Sequence, residues 1–131
     1  MHEFRSAIEA KDVDALAELL ADDVVFRSPV VFAPYHGKAT VLAILQMVAR
    51  VFEDFRYTHE LSGDDERTHA LVFKTRVGER ELEGCDFLHI GDDGLIAEFF
   101  VMVRPLSAAH ALAEAMQAQL AEAEAEAARP A

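Results

Sequence analysis

Apolar residues recur at helical spacing in the first part of the chain and predict three helices. The first has an apolar face made of Phe4, Ala7 and Ile8. Asp12 is a candidate N-cap of the second, because its carboxylate can accept hydrogen bonds from the free amides of the first turn. That helix buries Val13, Leu16, Leu19 and Leu20 and ends at Asp22-Asp23. The third spans about 39–52, and its apolar positions cover more than one face, so we expect it to be largely buried.

Further along the chain, apolar and polar residues alternate, which is typical of half-buried strands. Strands are predicted at about 24–26, 55–60, 71–77, 81–90 and 95–104. The segment 30–37 contains two prolines and a glycine and predicts a loop. The sequence Gly91-Asp92-Asp93-Gly94 predicts a hairpin between the last two strands. Helices followed by antiparallel strands predict an α+β fold with helices packed on one face of a sheet.

Composition narrows the class of protein. The chain has 131 residues, 52% of them apolar, which suits one compact domain. Its net charge of −12 disfavours nucleic acid and anionic membranes as partners. A single cysteine, Cys85, excludes an internal disulfide and favours a reducing compartment. The first residues do not resemble a secretory signal, and the longest apolar stretch, 41–52, is too short to span a bilayer. We therefore expect a cytoplasmic protein.

The composition changes after Pro105. Residues 107–131 are rich in alanine and glutamate, and Leu112, Met116 and Leu120 recur at four-residue spacing. This pattern predicts a domain over residues 1–106 and a C-terminal helical extension over 107–131 that frays after about Glu122. A packing or capping helix is the favoured interpretation, and a helix that binds a partner is the alternative.

Several of these segments resemble the SnoaL-like branch of the nuclear-transport-factor-2-like superfamily. The resemblance is carried by 12–20, by Asp23-Val24-Val25-Phe26-Arg27-Ser28-Pro29, by Gly37 before the long helix and by Gly94-Leu95-Ile96 before the last strand. It implies an α+β cone, in which a strongly curved antiparallel sheet and three helices enclose an apolar pocket. It also implies a homodimer formed through the outer face of the sheet, where Phe100 and Met102 need cover.

The cone hosts several activities, so the residues must decide the function. In the related ketosteroid isomerase branch, a tyrosine, a carboxylate before a proline and a neutral aspartic acid act together. Here the corresponding positions are Phe4, Ser28 before Pro29, and Asp86, which stands eight residues before Gly94. Only Asp86 matches the pattern.

Asp86 is therefore the first candidate for an acid, a base or a ligand anchor. Its neighbours Cys85, Phe87 and Leu88 are apolar, and desolvation would raise its pKa. The alternative is an ion pair with Arg76 or Arg80 on a neighbouring strand. Either Tyr57 or His59 is a candidate hydrogen-bond partner, and the sequence does not decide between them.

Three weaker candidates are His36 and Tyr35, in the loop before the third helix, and Ser28. The alternative for the loop is that Tyr35 packs on Pro34 while His36 is solvated. The expected pocket wall consists of Phe4, Leu20, Phe26, Leu45, Tyr57, His59, Phe73, Leu88, Phe99 and Val101.

The sequence indicates no metal and no cofactor. The six histidines lack short ligand spacings, and no glycine-rich loop follows a strand to bind phosphates. The expected function is therefore to bind a small apolar ligand, with cofactor-free acid–base catalysis on a carbonyl compound (isomerisation, cyclisation or dehydration). The alternative is a non-catalytic ligand-binding or dimeric interaction module.

Overall fold

The computed structural model describes residues 2–128, with side chains described up to residue 122. Its helices are α1 (His2–Ala10), α2 (Val13–Leu19), α3 (Lys38–Val51) and α4 (Leu106–Ala128). Its strands are β1 (Leu20–Arg27), β2 (Tyr35–His36), β3 (Glu53–Ser62), β4 (Thr68–Val77), β5 (Arg80–Ile90) and β6 (Ile96–Arg104). This is the predicted α+β architecture.

The strands form one curved sheet in the order β2-β1-β6-β5-β4-β3. All neighbours are antiparallel except β1 and β6, which run parallel. Alternation along β5 turns Gly84, Asp86 and Leu88 towards the helices, whereas Cys85 and Phe87 lie on the outer face. This two-residue alternation is the pattern of a half-buried strand, which the sequence predicts for 81–90.

The hydrophobic core lies between the inner face of the sheet and the helices. Its fully buried large side chains are Phe4, Leu20, Val24, Val41, Leu71, Phe73, Leu88, Ile96 and Phe99. Within the core, the Phe99 ring contacts two other aromatic rings. Its centroid lies 5.4 Å from that of Phe4, in an edge-on arrangement, and 5.0 Å from that of Phe26.

The N-termini of α2 and α3 are set by the residues that precede them. Asp12 is the N-cap of α2, and its Oδ1 accepts a hydrogen bond from the Ala15 amide at 3.1 Å, as predicted. Gly37 precedes α3 with a φ of +95°, a conformation that favours glycine. Asp22 and Asp23 do not end α2, which stops at Leu19; they lie in β1, where its pairing with β6 is irregular between Leu20 and Val25.

Three further details differ from the sequence prediction. Within the predicted loop, Tyr35 and His36 form β2, which pairs with β1. Helix α3 is not largely buried: Val41 is its one buried residue, because the other apolar positions face an open cavity or its margins. Helix α4 continues to Ala128, past the predicted fraying point, and the last residues of the predicted extension, 129–131, lie outside the described residues. Among the described residues, no helix is long and apolar enough to cross a membrane.

Candidate functional site

The centre of the site is a buried pair of polar side chains, Asp86 on β5 and Tyr57 on β3. The Tyr57 hydroxyl donates a hydrogen bond of 2.8 Å to Oδ2 of Asp86. Strand β4 lies between the two strands, so the phenol reaches across it to the carboxyl group. Asp86 is 6% exposed and Tyr57 is 7% exposed. This contact selects Tyr57 over His59 as the partner of Asp86.

Gly84 makes room for an aromatic ring beside this pair. Gly84 pairs with Phe73 across β5 and β4, and the Phe73 ring lies directly over the glycine. A Cβ at Gly84 would stand 2.3 Å from Cζ of Phe73, well inside van der Waals contact. The Phe73 ring in turn packs against the rings of Phe55 and Tyr57, at centroid distances of 5.0 and 6.3 Å. The absence of a side chain at Gly84 thus allows these aromatic rings to pack together beside Asp86.

Burial controls the protonation of the pair. Burial raises the pKa of Asp86 to about 7, while the hydrogen bond from Tyr57 acts in the opposite direction. Burial, followed by the nearby charge of Asp86, raises the pKa of Tyr57 well above its ordinary value. Tyr57 is therefore a neutral donor at physiological pH, whereas Asp86 is present both as acid and as carboxylate.

Asp86 and Tyr57 lie on the wall of a large open cavity of about 1400 Å³. Small-molecule pockets usually measure roughly 300–1,000 Å³, so the volume is ample for such a ligand. Aromatic side chains surround the polar pair, and aliphatic side chains of α3 and α4 form much of the remaining wall. The aromatic lining residues are Phe26, Tyr35, Phe52, Phe55, Tyr57, Phe73 and Phe99.

Other carboxylate groups line the cavity at its rim, among them that of Asp54. Asp54 is exposed and accepts a hydrogen bond of 2.8 Å from Nη2 of Arg76, which also contacts Glu53 at 3.2 Å. This hydrogen bond, with the charge of Arg76, holds the pKa of Asp54 below its usual value. Arg76 contacts these rim residues, Arg80 is exposed at the start of β5, and Asp86 is bonded to Tyr57. The alternative interpretation of an ion pair between Asp86 and Arg76 or Arg80 is therefore wrong.

The weaker candidates are separated from one another. Ser28 and Tyr35 line the cavity, but His36 is exposed and is not part of the wall. Oγ of Ser28 accepts hydrogen bonds from the amides of Val30 and Val31, at 3.1 and 3.3 Å, so the hydroxyl stabilises the turn after β1. Tyr35 packs against Phe26, with ring centroids 6.3 Å apart.

The expected pocket wall needs four corrections. Phe26, Leu45, Tyr57, Phe73, Phe99 and Val101 do line the cavity. Phe4, Leu20 and Leu88 are not among the lining residues and pack into the core. His59 is exposed on the outer side, because an irregularity in β3 between Tyr57 and His59 changes which face the following residues occupy. Its Nδ1 lies 3.0 Å from Oγ1 of Thr58.

Sequence reasoning missed two parts of the wall. Phe52 and Phe55 line the cavity at the junction of α3 and β3. Helix α4 adds a further wall through Leu112, Met116 and Leu120. The four-residue spacing of these three residues was a visible signal, but it does not reveal which surface the helix covers. Among the described residues, no group of three or more histidine, cysteine or acidic side chains is placed to hold a metal ion.

Comparisons with known proteins show the family to which this fold belongs. The SnoaL-like domain matches residues 1–99. The chain belongs to the SnoaL-like family. It is 46% identical to a steroid delta-isomerase from Pseudomonas aeruginosa, with a TM-score of 0.90 over 95% of this chain and 90% of that one.

More distant structures extend the comparison of the fold. A protein from Silicibacter pomeroyi with a cystatin-like fold is 32% identical, with a TM-score of 0.85 over 90% of this chain and 82% of that chain. A polyketide cyclase described as putative, from Pseudomonas putida, shares the fold at 20% identity, with a TM-score of 0.67 over 82% of this chain and 90% of that chain. No curated protein matches this sequence.

Proposed function

We propose that this SnoaL-like protein binds an apolar carbonyl compound and catalyses a cofactor-free acid–base reaction on it. The observation that carries the proposal is the Asp86 carboxyl, buried on the wall of the cavity and bonded to Tyr57. A pKa of about 7 lets one carboxyl group act either as proton donor or as proton acceptor near neutral pH.

The hydrogen bond assigns different tasks to the two residues. The Tyr57 proton is committed to Oδ2 of Asp86, which leaves Oδ1 for the ligand. As a carboxylate, Asp86 removes a proton from the carbon next to the carbonyl and later returns it at another position. As an acid, it donates a hydrogen bond to the carbonyl oxygen. Isomerisation, aldol-type cyclisation and dehydration each need such a proton transfer.

The 46% identity to a steroid delta-isomerase supports the isomerase version of this chemistry. One difference limits the comparison. Ser28 stands at the position where the ketosteroid isomerase branch has its carboxylate base, and Oγ of Ser28 is engaged by two backbone amides. We therefore assign the proton transfer to Asp86 alone. A ligand-binding module without turnover is the second candidate, and the same feature of Ser28 favours it.

Hydrogen exchange into a simple ketone distinguishes the two candidates without knowledge of the natural substrate. 2-Tetralone in D₂O is incubated with the protein, and deuterium at the carbon next to the carbonyl is followed by NMR. We expect Asp86→Asn to slow the catalysed exchange by about 10²-fold or more. The control is Asp92→Asn, in the exposed hairpin that Arg67 contacts. Exchange that survives in Asp86→Asn contradicts the proposed role. Asp86-dependent binding without any exchange favours the non-catalytic module.

We also propose that a second copy covers the outer face of the sheet, as the resemblance implies. Two neighbouring rows across this face are apolar: Val72, Cys85 and Met102 in one, and Ala70, Phe87 and Phe100 in the other. The rings of Phe87 and Phe100 stack at 4.7 Å, and Met102 is 61% exposed. Charged residues border the rows on both sides, with Lys74, Glu83 and Arg104 on one side and Glu98 on the other. An apolar centre with a polar rim is the usual anatomy of an interface.

Light scattering tests the dimer. Phe100→Glu or Met102→Glu would bury unpaired charge at the interface, so we expect the mass to fall from that of a dimer to that of a monomer. Leu106→Glu is the control, since Leu106 is 73% exposed on α4, outside this face. An unchanged mass in the first two variants contradicts the assignment.

Cys85 is a free thiol. The cytoplasmic location stays a prediction.

A further inference from the structure

We propose that the part of the cavity between α3 and α4 is a subsite for an uncharged aliphatic tail of the ligand. The proposal deepens the proposed function and rests on it for the position of the ligand's oxygen, at Asp86. It assigns the substrate class: a compact oxygen-bearing head among the aromatic rings, followed by a flexible hydrocarbon chain between the two helices.

The wall of this subsite has a different composition from the surroundings of Asp86. Aromatic rings of β3, β4 and β6 surround the carboxyl group. Helix α4 instead contributes Leu112, Ala113, Met116, Gln117 and Leu120, and α3 contributes mainly Leu42, Ile44, Leu45, Met47 and Val48. Methionine and leucine adapt to flexible chains better than aromatic rings do. The stretch from Leu112 to Leu120 covers about 12 Å along the helix axis, which is room for an extended chain.

Apolar side chains of α3 and α4 remain partly exposed on the cavity wall. On α3, Val41 is the one fully buried residue, although most of the helix is apolar. Leu120 on α4 remains 50% exposed on the cavity wall. The apolar surface is continuous with the cavity that holds Asp86 and Tyr57, so a ligand anchored there can cover it.

The charges of the wall indicate that the tail is neutral. Apart from Asp86, the charged residues that line the cavity come from α1, the turn after it and the junction of α3 with β3: Glu9, Lys11, Arg50, Glu53 and Asp54. Within the described wall, α4 and α3 before Arg50 contribute the polar but uncharged side chains Thr40, Gln46 and Gln117. Among the described lining residues, the cations Lys11 and Arg50 lie at the C-terminal end of α3, where Nζ of Lys11 is 3.4 Å from the Ala49 carbonyl oxygen. A carboxylate at the end of the tail would therefore meet no described cation on α4 or on the earlier turns of α3.

Helix α4 also lies outside residues 1–99, the segment that matches the SnoaL-like domain. The wall that it adds is therefore not part of the family match, although the structural match to the steroid delta-isomerase, which covers 95% of this chain, extends into this helix. We infer that α4 determines the length of ligand that the site accepts.

A series of 4-alkylphenols, from methyl to heptyl, tests the subsite by isothermal titration calorimetry. The phenol is the head and the alkyl group is the tail. We expect the dissociation constant to fall by about fourfold for each added methylene until the groove is filled. In Met116→Gln and Leu120→Gln, 4-heptylphenol should bind at least tenfold more weakly, while 4-methylphenol should bind as it does to the unmodified protein.

Matched controls locate the tail. Leu106→Gln changes an exposed leucine of the same helix that does not line the cavity, and it should leave the whole series unchanged. A flat series in the unmodified protein overturns the subsite. A chain-length dependence that is lost in Met102→Gln but kept in Met116→Gln also overturns it, because the tail then lies on the outer face of the sheet.

Asp86→Asn separates this inference from the proposed function. If Asp86→Asn raises the dissociation constant of every 4-alkylphenol by the same factor, both the anchor at Asp86 and the tail subsite are supported. If chain length has no effect but the binding of 4-methylphenol depends on Asp86, the subsite alone is wrong. If Asp86→Asn changes nothing while chain length and Met116 still matter, the subsite stands and the proposed anchor is wrong.

Discussion

Asp54 and Asp86 both line the same cavity, yet their environments shift their acidity in opposite directions. Asp54, at the rim, is exposed and bonded to Arg76, and its pKa lies below the usual value. Asp86 lies deep in the wall with a neutral phenol as its partner, and its pKa rises to about 7. Burial without a cation therefore raises the pKa of Asp86, whereas an exposed ion pair keeps Asp54 charged.

The largest expected effect breaks the packing of the Phe73 ring over Gly84. In Gly84→Ala, the new Cβ would meet three atoms of the Phe73 ring at 2.3 to 2.9 Å. We expect a loss of about 3 kcal/mol in the free energy of unfolding, near the upper end of the usual cost of overpacking. Urea denaturation measures it. Gly91→Ala, at the exposed hairpin, should cost less than about 0.5 kcal/mol; equal losses would show that the Phe73 ring yields easily.

The next effect is the pH dependence of stability. The raised pKa of Asp86 stabilises the folded state fully below its unfolded pKa near 3.8, and this contribution is lost as the pH rises through about 7. Between pH 5.5 and 8.5 the unmodified protein should lose about 2 kcal/mol relative to Asp86→Asn, since one unit of pKa corresponds to about 1.4 kcal/mol. Urea denaturation at both pH values measures the difference.

Asp54→Asn provides the matched comparison for this measurement. The lowered pKa of Asp54 stabilises the folded state above its unfolded pKa, and that contribution is lost as the pH falls below it. Between pH 5.5 and 8.5 this variant should therefore follow the unmodified protein. A parallel curve for Asp86→Asn as well would mean that Asp86 is not desolvated.

A smaller effect concerns the hydrogen bond of the deep site. Tyr57→Phe removes the donor that lowers the pKa of Asp86, so that pKa should rise above 7. The lost hydrogen bond should cost about 1 kcal/mol of stability. A carbon-13 NMR titration of the Asp86 carboxyl follows the pKa. Tyr35→Phe removes the hydroxyl of another tyrosine that lines the cavity and should leave the pKa of Asp86 unchanged. The same pKa shift in both variants would contradict a specific role for Tyr57.

The smallest effect is expected at the rim. Arg76→Gln removes the charge and hydrogen bond that hold down the pKa of Asp54, so this pKa should return towards its ordinary value. The melting temperature should stay the same within error, because exposed ion pairs contribute little to stability. The same NMR titration would show whether Asp86 responds; a shift there would mean that the two carboxylates do not act independently.

Tertiary structure decided several features that alternation alone cannot predict. Alternation places Tyr57 and His59 on one face of β3, but the irregularity between them turns His59 outward. The partner of Asp86, Tyr57, comes from a strand that is not adjacent in the sheet, so neither alternation nor strand pairing identifies it. The apolar positions of α3 and α4 look like core positions in sequence, because a cavity wall and a packed core select the same residue types.

The sequence by itself determined the order of the helices and long strands, the N-cap at Asp12 and the two-residue alternation of the strand that carries Asp86. These follow from local chemistry and from the two-residue period of a strand, which neighbouring residues define. Only the tertiary structure decided that Tyr57 reaches Asp86, that Phe4, Leu20 and Leu88 fill the core instead of lining the cavity, and that α4 forms a wall. Each of these depends on distances between segments far apart in the chain, which hydrophobic periodicity does not encode.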